Sequence, residues 1–141
     1  MDLDTPILFA ATTNAGRSRA FYETVLGLKF VSDDPFAVVF KTGPILLRIQ
    51  KVDRKPKIGY TVLGWAVADI KKTVRRLTKA RVEFARYVGL DQDADGIWTS
   101  PSGAQVAWFH DPDGNTLSLT EYPRHRKRGV SRPRRRGSST V

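Results

Sequence analysis

The sequence predicts an α+β fold made of two βαβββ modules. Apolar segments bounded by Gly, Pro, Asn and Asp predict strands, and two segments with helical periodicity interrupt them. The order strand, helix, strand, strand, strand occurs twice. Asn14 and Asp69, the expected N-caps of the two helices, are 55 residues apart, and Ile7 and Val62 in the preceding strands share that offset. Neither module could bury its apolar face alone, so we expect the two to pack together or to exchange with a second chain.

The first module begins with a strand at Pro6–Thr12. Asn14 is a suitable N-cap because its side-chain oxygen can accept a hydrogen bond from the first helical turn. A helix is predicted at Ala15–Leu26, where apolar residues recur four positions apart, and the glycine that follows is a typical C-terminal stop. The remaining strands of this module are predicted at Lys29–Val31, Phe36–Lys41 and Ile45–Val52.

The second module follows a polar linker at Asp53–Lys57 and begins with a strand at Tyr60–Val67. Asp69 is expected to cap a helix whose apolar stripe repeats at i, i+4 and i+7, with Lys and Arg on the solvated side. The stripe consists of Ile70, Val74 and Leu77. The remaining strands are predicted at Val82–Arg86, Ala104–His110 and Leu117–Glu121.

The positive charge is concentrated at the C-terminus. The chain has 24 basic and 14 acidic residues, a net charge of +10, but eight of the basic residues lie within Arg124–Arg136 and no acidic residue follows Glu121. We therefore predict one nearly neutral domain at 1–122, with modules at about 6–52 and 60–122, and a basic disordered tail at 123–141. The tail either makes weak, sequence-indifferent contact with nucleic acid or only adds solubility.

The composition also predicts a compartment. The 141 residues include no cysteine, no apolar run approaches the ~20 residues needed to cross a bilayer, and the N-terminal MDLDTPIL is acidic where a signal peptide would be basic. We expect a cytoplasmic protein with no membrane contact.

Two segments resemble a known superfamily. FYETVLGLKFV at Phe21–Val31 and DPDGNTLSLTE at Asp111–Glu121, with WAVADI at Trp65–Ile70 between them, are similar to signatures of the vicinal oxygen chelate superfamily of glyoxalases, bleomycin-resistance proteins and extradiol dioxygenases. Asp111–Asn115 is also explained as a hairpin turn, since Pro112 and Gly114 suit its backbone. The resemblance implies a curved mixed sheet that encloses a cup, helices outside it, a small-molecule ligand and a homodimer.

The resemblance also implies metal-ligand positions, which this sequence does not retain. They fall at Ile7, Val62 and Ser118, with a fourth within Leu46–Gln50, where no carboxylate occurs. Aliphatic side chains cannot coordinate a divalent metal. The chain has only two histidines, His110 and His125, and only three glutamates, Glu23, Glu83 and Glu121.

We therefore expect no metal, no cofactor and no catalytic residue. The expected function is metal-independent binding of a small molecule, such as sequestration of an antibiotic or a metabolite. The alternative is a lyase, isomerase or dioxygenase of the same superfamily whose metal site is rearranged or absent.

Strand alternation predicts which side chains line the cup, because residues two apart share a face. The resemblance fixes the face, and small-molecule sites generally combine apolar walls with a few polar groups. Arg48 could offer its planar fork to a carboxylate. The predicted ligand-binding residues are Ile7, Phe9, Arg48, Gln50, Tyr60, Val62 and Ser118, with Trp98 or Trp108 at the rim.

Two further patterns have simple explanations. Asp91, Asp93 and Asp95 match the first half of a calcium loop, but Ser102 stands where its bidentate glutamate belongs, so we favour a solvated acidic loop over calcium binding. His110 precedes a turn and has no evident catalytic partner, so a hydrogen bond to a turn carbonyl is expected.

Overall fold

The fold consists of two four-stranded sheets and two helices. A computed structural model describes residues 1–55 and 57–124. The first module contains β1 (Ile7–Thr12), α1 (Ala15–Ala20), a π-helical turn (Phe21–Val25), β2 (Lys29–Asp33), β3 (Ala37–Thr42) and β4 (Ile45–Lys51). The second contains β5 (Thr61–Ala66), α2 (Ile70–Lys79), β6 (Trp98–Thr99), β7 (Gln105–His110) and β8 (Thr116–Glu121). The predicted α+β class and the paired βαβββ modules are confirmed.

The two sheets have the same topology. Their strand orders are β1-β4-β3-β2 and β5-β8-β7-β6. In each sheet the first strand of the module pairs in parallel with the last strand, and the other neighbours are antiparallel. The internal repeat read from the sequence is therefore a repeat of structure.

Both predicted N-caps are present. The Asn14 side chain accepts a hydrogen bond from the Arg17 amide, and the Asp69 side chain accepts one from the Lys72 amide, each at 3.0 Å. The apolar stripe of α2 is buried, since its three members are at most 1 % exposed. The first helix covers most of its predicted range, but its second half is a π-helical turn rather than an α-helix.

The helix-bearing sides of the two sheets share one core. Phe21 of the first module packs against Phe109 of β7, with ring centroids 6.4 Å apart, and the indole nitrogen of Trp65 on β5 donates to the Thr42 hydroxyl at the end of β3. One continuous cluster of buried apolar residues includes members of both sheets and of α2, together with Tyr22. The helix-bearing sides of both sheets therefore contribute to one core, and the helix-free sides lie outside it.

The strand predicted at Val82–Arg86 is wrong. Val82 is buried and Glu83 is exposed, so the side chains alternate as in a strand. The Ala85 amide donates a backbone hydrogen bond to the Trp108 carbonyl, but no strand pairing continues from it. Instead, the Gln92 side chain donates to the Ala85 and Gly96 carbonyls and folds this segment into a loop. The edge position in the sheet belongs to β6, which the sequence pattern did not reveal.

Within residues 1–55 and 57–124, no helix has the length and apolarity to cross a membrane. The predicted tail at 123–141 lies outside the described residues except for its first two positions.

Candidate ligand-binding site

The helix-free face of the first sheet carries several predicted site residues. In the parallel β1–β4 pair, Phe9 lies opposite Arg48 and Ala11 opposite Gln50. Leu47 and Ile49, which alternate with these β4 residues, are fully buried on the helix-bearing side. Phe9 is 50 % exposed and Ile7 is 48 % exposed, which is high for large apolar side chains. Strand alternation thus predicted this face correctly.

A depression of about 300 Å³ lies where this face meets the start of β5. It is open to solvent and combines apolar and aromatic walls with two amide side chains. The structure therefore brings four of the predicted residues, Phe9, Gln50, Tyr60 and Val62, to one concave surface. The full lining consists of Phe9, Ala10, Ala11, Gln50, Ile58, Tyr60, Val62 and Asn115.

Two of the unpredicted lining residues, Ile58 and Asn115, were missed for separate reasons. Ile58 lies between the modules, outside any strand, so alternation gives no information about it. Asn115 was assigned to a turn, and its side chain reaches back to donate to the Ala11 carbonyl at 2.9 Å. For Ile58 the sequence did offer a signal, which is an isoleucine directly after the polar linker.

A β-bulge changes the predicted alternation on β5. The pairing with β8 matches Thr61 to Thr116 and then Gly64 to Ser118, with a register shift between Thr61 and Leu63. A bulge adds one residue to a strand, so the regular alternation of side chains is interrupted between Thr61 and Leu63. Val62 still lines the depression, because it lies in the bulged segment itself.

The other predicted residues form a second group on the second sheet. Ser118 on β8 lies opposite both Gly64 and Trp108. Trp98 and Trp108 pack together with ring centroids 6.1 Å apart, and Tyr87 packs edge-on against Trp108 at 5.4 Å. A Cβ on Gly64 would overlap the Ser118 hydroxyl and lie 3.1 Å from the Ser118 carbonyl oxygen, so a larger residue here would displace the Ser118 side chain. Within the described chain, Ser118 and the tryptophans do not join the depression around Phe9.

Among the described residues, Arg48 forms its ion pair with Asp34. Its guanidinium lies 4.0 Å from Asp34 Oδ2, while Asp34 Oδ1 accepts hydrogen bonds from the amides of Phe36 and Ala37. These amides lower the pKa of Asp34 below its ordinary value, and the charges of Arg48 and Lys51 add to the effect. At 4.0 Å the ion pair is too long for a direct hydrogen bond, so the fork of Arg48 retains donors for an anionic ligand.

The donors present do not fit a metal ion. The positions that the superfamily resemblance assigns to metal ligands hold an isoleucine, a valine and a serine. In the described part of the chain, no three His, Cys, Asp or Glu side chains are grouped so that they could hold an ion. This donor set gives no basis for chemistry through a bound metal.

Two of the three aspartates of the calcium-like motif have other partners. The Asp93 side chain accepts from the amides of Asp95 and Ile97, and the Asp95 carboxylate forms ion pairs with Lys71 and Arg75. These contacts favour the structural reading of the motif. The hydrogen bond expected for His110 is absent among the described residues, and its ring is exposed.

The Asp111–Asn115 segment forms the expected turn and also joins the two modules. Asp111 Oδ1 accepts from the amides of Asp113 and Asn115. Its Oδ2 accepts from the Tyr22 hydroxyl at 2.6 Å. Burial and the nearby carboxylate of Asp111 raise the pKa of Tyr22. The two recognisable sequence signatures therefore touch each other in a buried contact between the modules.

Comparisons with known proteins agree with this fold. The family model described as the Glyoxalase/Bleomycin resistance protein/Dioxygenase superfamily matches residues 8–119. No curated protein matches the sequence significantly.

Solved structures share the architecture at low sequence identity. Lactoylglutathione lyase from Agrobacterium tumefaciens is 20 % identical, with a TM-score of 0.60 over 85 % of this chain and 96 % of its own. A glyoxalase family protein from Enterococcus faecalis is 22 % identical, with a TM-score of 0.63 over 85 % and 97 %. A glyoxalase/bleomycin resistance protein/dioxygenase from Alicyclobacillus acidocaldarius is 19 % identical, with a TM-score of 0.64 over 85 % and 92 %.

Proposed function

The chain belongs to the Glyoxalase/Bleomycin resistance protein/Dioxygenase superfamily, and from this premise we propose that it binds a small aromatic or apolar anion without a metal ion. The observation that carries the proposal is the composition of the helix-free face. Isoleucine, valine and serine stand at the positions where the superfamily resemblance calls for metal ligands. Such a surface can hold a guest but cannot polarise it through a cation.

The chemistry of the ligand follows from Arg48 and its neighbours. Phe9 and Tyr60 offer exposed aromatic surface, and Gln50 offers both a donor and an acceptor beside them. Arg48 lies opposite Phe9 and presents a cationic fork suited to a carboxylate or sulfonate. We therefore expect an aromatic anion to bind better than a cation of the same size, which argues against a cationic drug such as bleomycin.

We further propose that two copies of the chain complete the site. The predicted residues divide into one group around Phe9, where the first sheet meets the start of β5, and another around Trp108 on the second sheet. Facing the first sheet of one copy with the second sheet of another would bring both groups to one cavity. The exposed Ile7, Phe9 and Tyr60 would then be covered. A C2 dimer would contain two such cavities.

The ligand proposal is tested with 8-anilino-1-naphthalenesulfonate, an aromatic anion whose fluorescence rises on binding. We expect saturable binding to the folded protein that EDTA does not change. Arg48→Gln should weaken it about tenfold or more, since a charge-assisted hydrogen bond contributes ~1.5–3 kcal/mol. Arg54→Gln is the matched control, because this exposed cation lies on neither β1 nor β4, whereas Arg48 lies opposite Phe9.

Two outcomes would contradict the proposal. Equal loss of binding in the Arg48 and Arg54 variants would show that only general charge is involved. Stoichiometric Zn, Ni, Mn or Fe in purified protein, measured by elemental analysis, would favour a metalloenzyme with rearranged ligands. Sedimentation equilibrium tests the dimer separately, and a monomer at micromolar concentration would refute the shared cavity.

A cytoplasmic location remains part of the proposal, supported by the lack of cysteine in the sequence. Fractionation of cells that produce the untagged chain would test it.

A further inference from the structure

We propose a second ligand site, a cavity of about 230 Å³ at the junction of the two modules that takes a small apolar carboxylate. The cavity is bounded by α2 on the helix-bearing side of the sheets, whereas the depression around Phe9 lies at the helix-free face. No described residue lines both spaces. The inference is therefore independent of the function proposed above.

Both modules contribute to the lining of this cavity. Leu26 and Leu28, which follow the π-helical turn, come from the first module, and Leu77 of α2 comes from the second. Leu77, Phe109 and Leu119 line the cavity and are at most 3 % exposed, so they also belong to the shared core. Core residues are closely packed, so this part of the lining has a fixed shape, and ligand sites often lie between structural units in this way.

The sequence of α2 explains why there is a cavity here. A helix that covers a core usually carries apolar residues at i, i+3, i+4 and i+7. In α2 the buried stripe consists of Ile70, Val74 and Leu77. The i+3 position is Thr73, which lines the cavity and whose hydroxyl donates to the Asp69 carbonyl at 2.9 Å. A larger apolar side chain at this position would narrow the cavity.

Two polar groups of the lining have donors to spare. The Thr42 hydroxyl accepts from the Trp65 indole nitrogen at 3.0 Å, and its own proton has no acceptor among the described residues. Arg76 is exposed and forms no ion pair within residues 1–55 and 57–124, whereas Arg75 pairs with Asp95. None of the described residues that line the cavity is acidic. Free donors and a positive charge beside an apolar space suit a carboxylate attached to an apolar group.

The volume of the cavity limits the size of this ligand. A space of 230 Å³ corresponds to about eight water molecules at ~30 Å³ each. We therefore infer an apolar group of about eight carbon atoms, with its carboxylate at the Arg76 guanidinium. Millimolar affinity is the scale expected for a ligand of about ten non-hydrogen atoms.

The test uses the full-length protein labelled with ¹⁵N and follows the indole N–H resonances of its three tryptophans by NMR while octanoate is added. Trp65 lines the cavity, whereas Trp98 and Trp108 belong to the group on the second sheet. The resonance that moves therefore reports where octanoate binds. The Trp65 resonance is identified by its loss in Trp65→Phe. We expect a saturable shift of this resonance, with a dissociation constant in the millimolar range.

Two variants, each with a matched control, test the lining. Arg76→Gln should weaken octanoate binding about fivefold, the upper range for an ion pair at an exposed site. Its control, Lys72→Gln, removes the same charge from the same helix outside the cavity and should change affinity less than twofold. Thr73→Leu should abolish the shift because leucine narrows the cavity. Its control is Thr78→Leu, since Thr78 also donates to the carbonyl four residues earlier but lies outside the cavity. Leucine favours helix, and circular dichroism checks that the variants fold.

Three results would overturn the proposal. Octylammonium that binds as tightly as octanoate would exclude recognition of the carboxylate. Equal octanoate binding in Thr73→Leu and wild type would exclude this cavity as the place of the apolar group. A Trp65 resonance that stays unmoved up to ~20 mM octanoate would exclude the site. If the Trp98 and Trp108 resonances moved instead, the second site would fail while the proposed function on the helix-free faces would stand.

Discussion

Replacing Tyr22 with phenylalanine removes one hydroxyl from the contact between the modules. Tyr22 is 0 % exposed and Asp111 is 4 % exposed, so water cannot replace the lost donor without opening the core. A buried hydrogen bond to a charged group contributes ~1.5–3 kcal/mol. Asp111 Oδ2 keeps a second donor, the Asn115 amide group at 2.8 Å. We therefore expect Tyr22→Phe to lower the free energy of unfolding by about 1.5–2.5 kcal/mol.

Urea denaturation at pH 7, followed by tryptophan fluorescence, measures this change. The slope of free energy against urea should stay constant, because the variant exposes the same surface on unfolding. Tyr60→Phe is the matched control, since Tyr60 is 67 % exposed, and it should change stability by less than ~0.5 kcal/mol. A Tyr22→Phe effect no larger than that of the control would refute the reasoning.

Three further predictions concern other parts of the fold. Gly64→Ala should cost ~1–3 kcal/mol because its Cβ would overlap the Ser118 hydroxyl, whereas Gly59→Ala, with nothing within 4 Å, should be nearly neutral in the same urea titration. The lowered pKa of Asp34 means that its charged form stabilises the fold at neutral pH and that this contribution is lost as pH falls below about 4. Between pH 7 and pH 3 the free energy of unfolding of Asp34→Asn, measured with urea, should therefore fall less than that of wild type. An equal fall would contradict a stabilising role for the Asp34 charge. Asp69→Ala should cost about 1 kcal/mol through loss of the α2 cap, visible as a lower urea midpoint.

The features that sequence predicted well are those fixed by local chemistry. Asn14 and Asp69 cap helices because their short side chains can reach free amides wherever a helix starts beside them. Alternation placed Phe9, Arg48 and Gln50 on one face because β1 and β4 are regular and continuously paired. The superfamily resemblance, which predicted that the two modules form one fold, was based on Phe21–Val31 and Asp111–Glu121. These two segments are in contact in the folded chain through Tyr22 and Asp111.

The features that sequence missed depend on contacts between distant residues. Val82 and Glu83 do alternate between buried and exposed, but a strand also needs a backbone hydrogen-bond partner. Here the Gln92 side chain, not a neighbouring strand, donates to the Ala85 carbonyl. The bulge before Leu63 adds one residue to a strand without any change in composition. The separation of Phe9 from Ser118 follows from how the two sheets pack, which periodicity along one strand cannot report.

The bonds between the modules also constrain how the protein is made. Thr12 donates to Asp113 across 101 residues of sequence, and β8, the last strand, pairs with both β5 and β7. During synthesis the shared core therefore cannot be fully buried until nearly the whole domain has left the ribosome. Until then the emerging first half exposes apolar surface that its own residues cannot cover, so chaperone demand during synthesis should exceed what the small size of the domain would indicate.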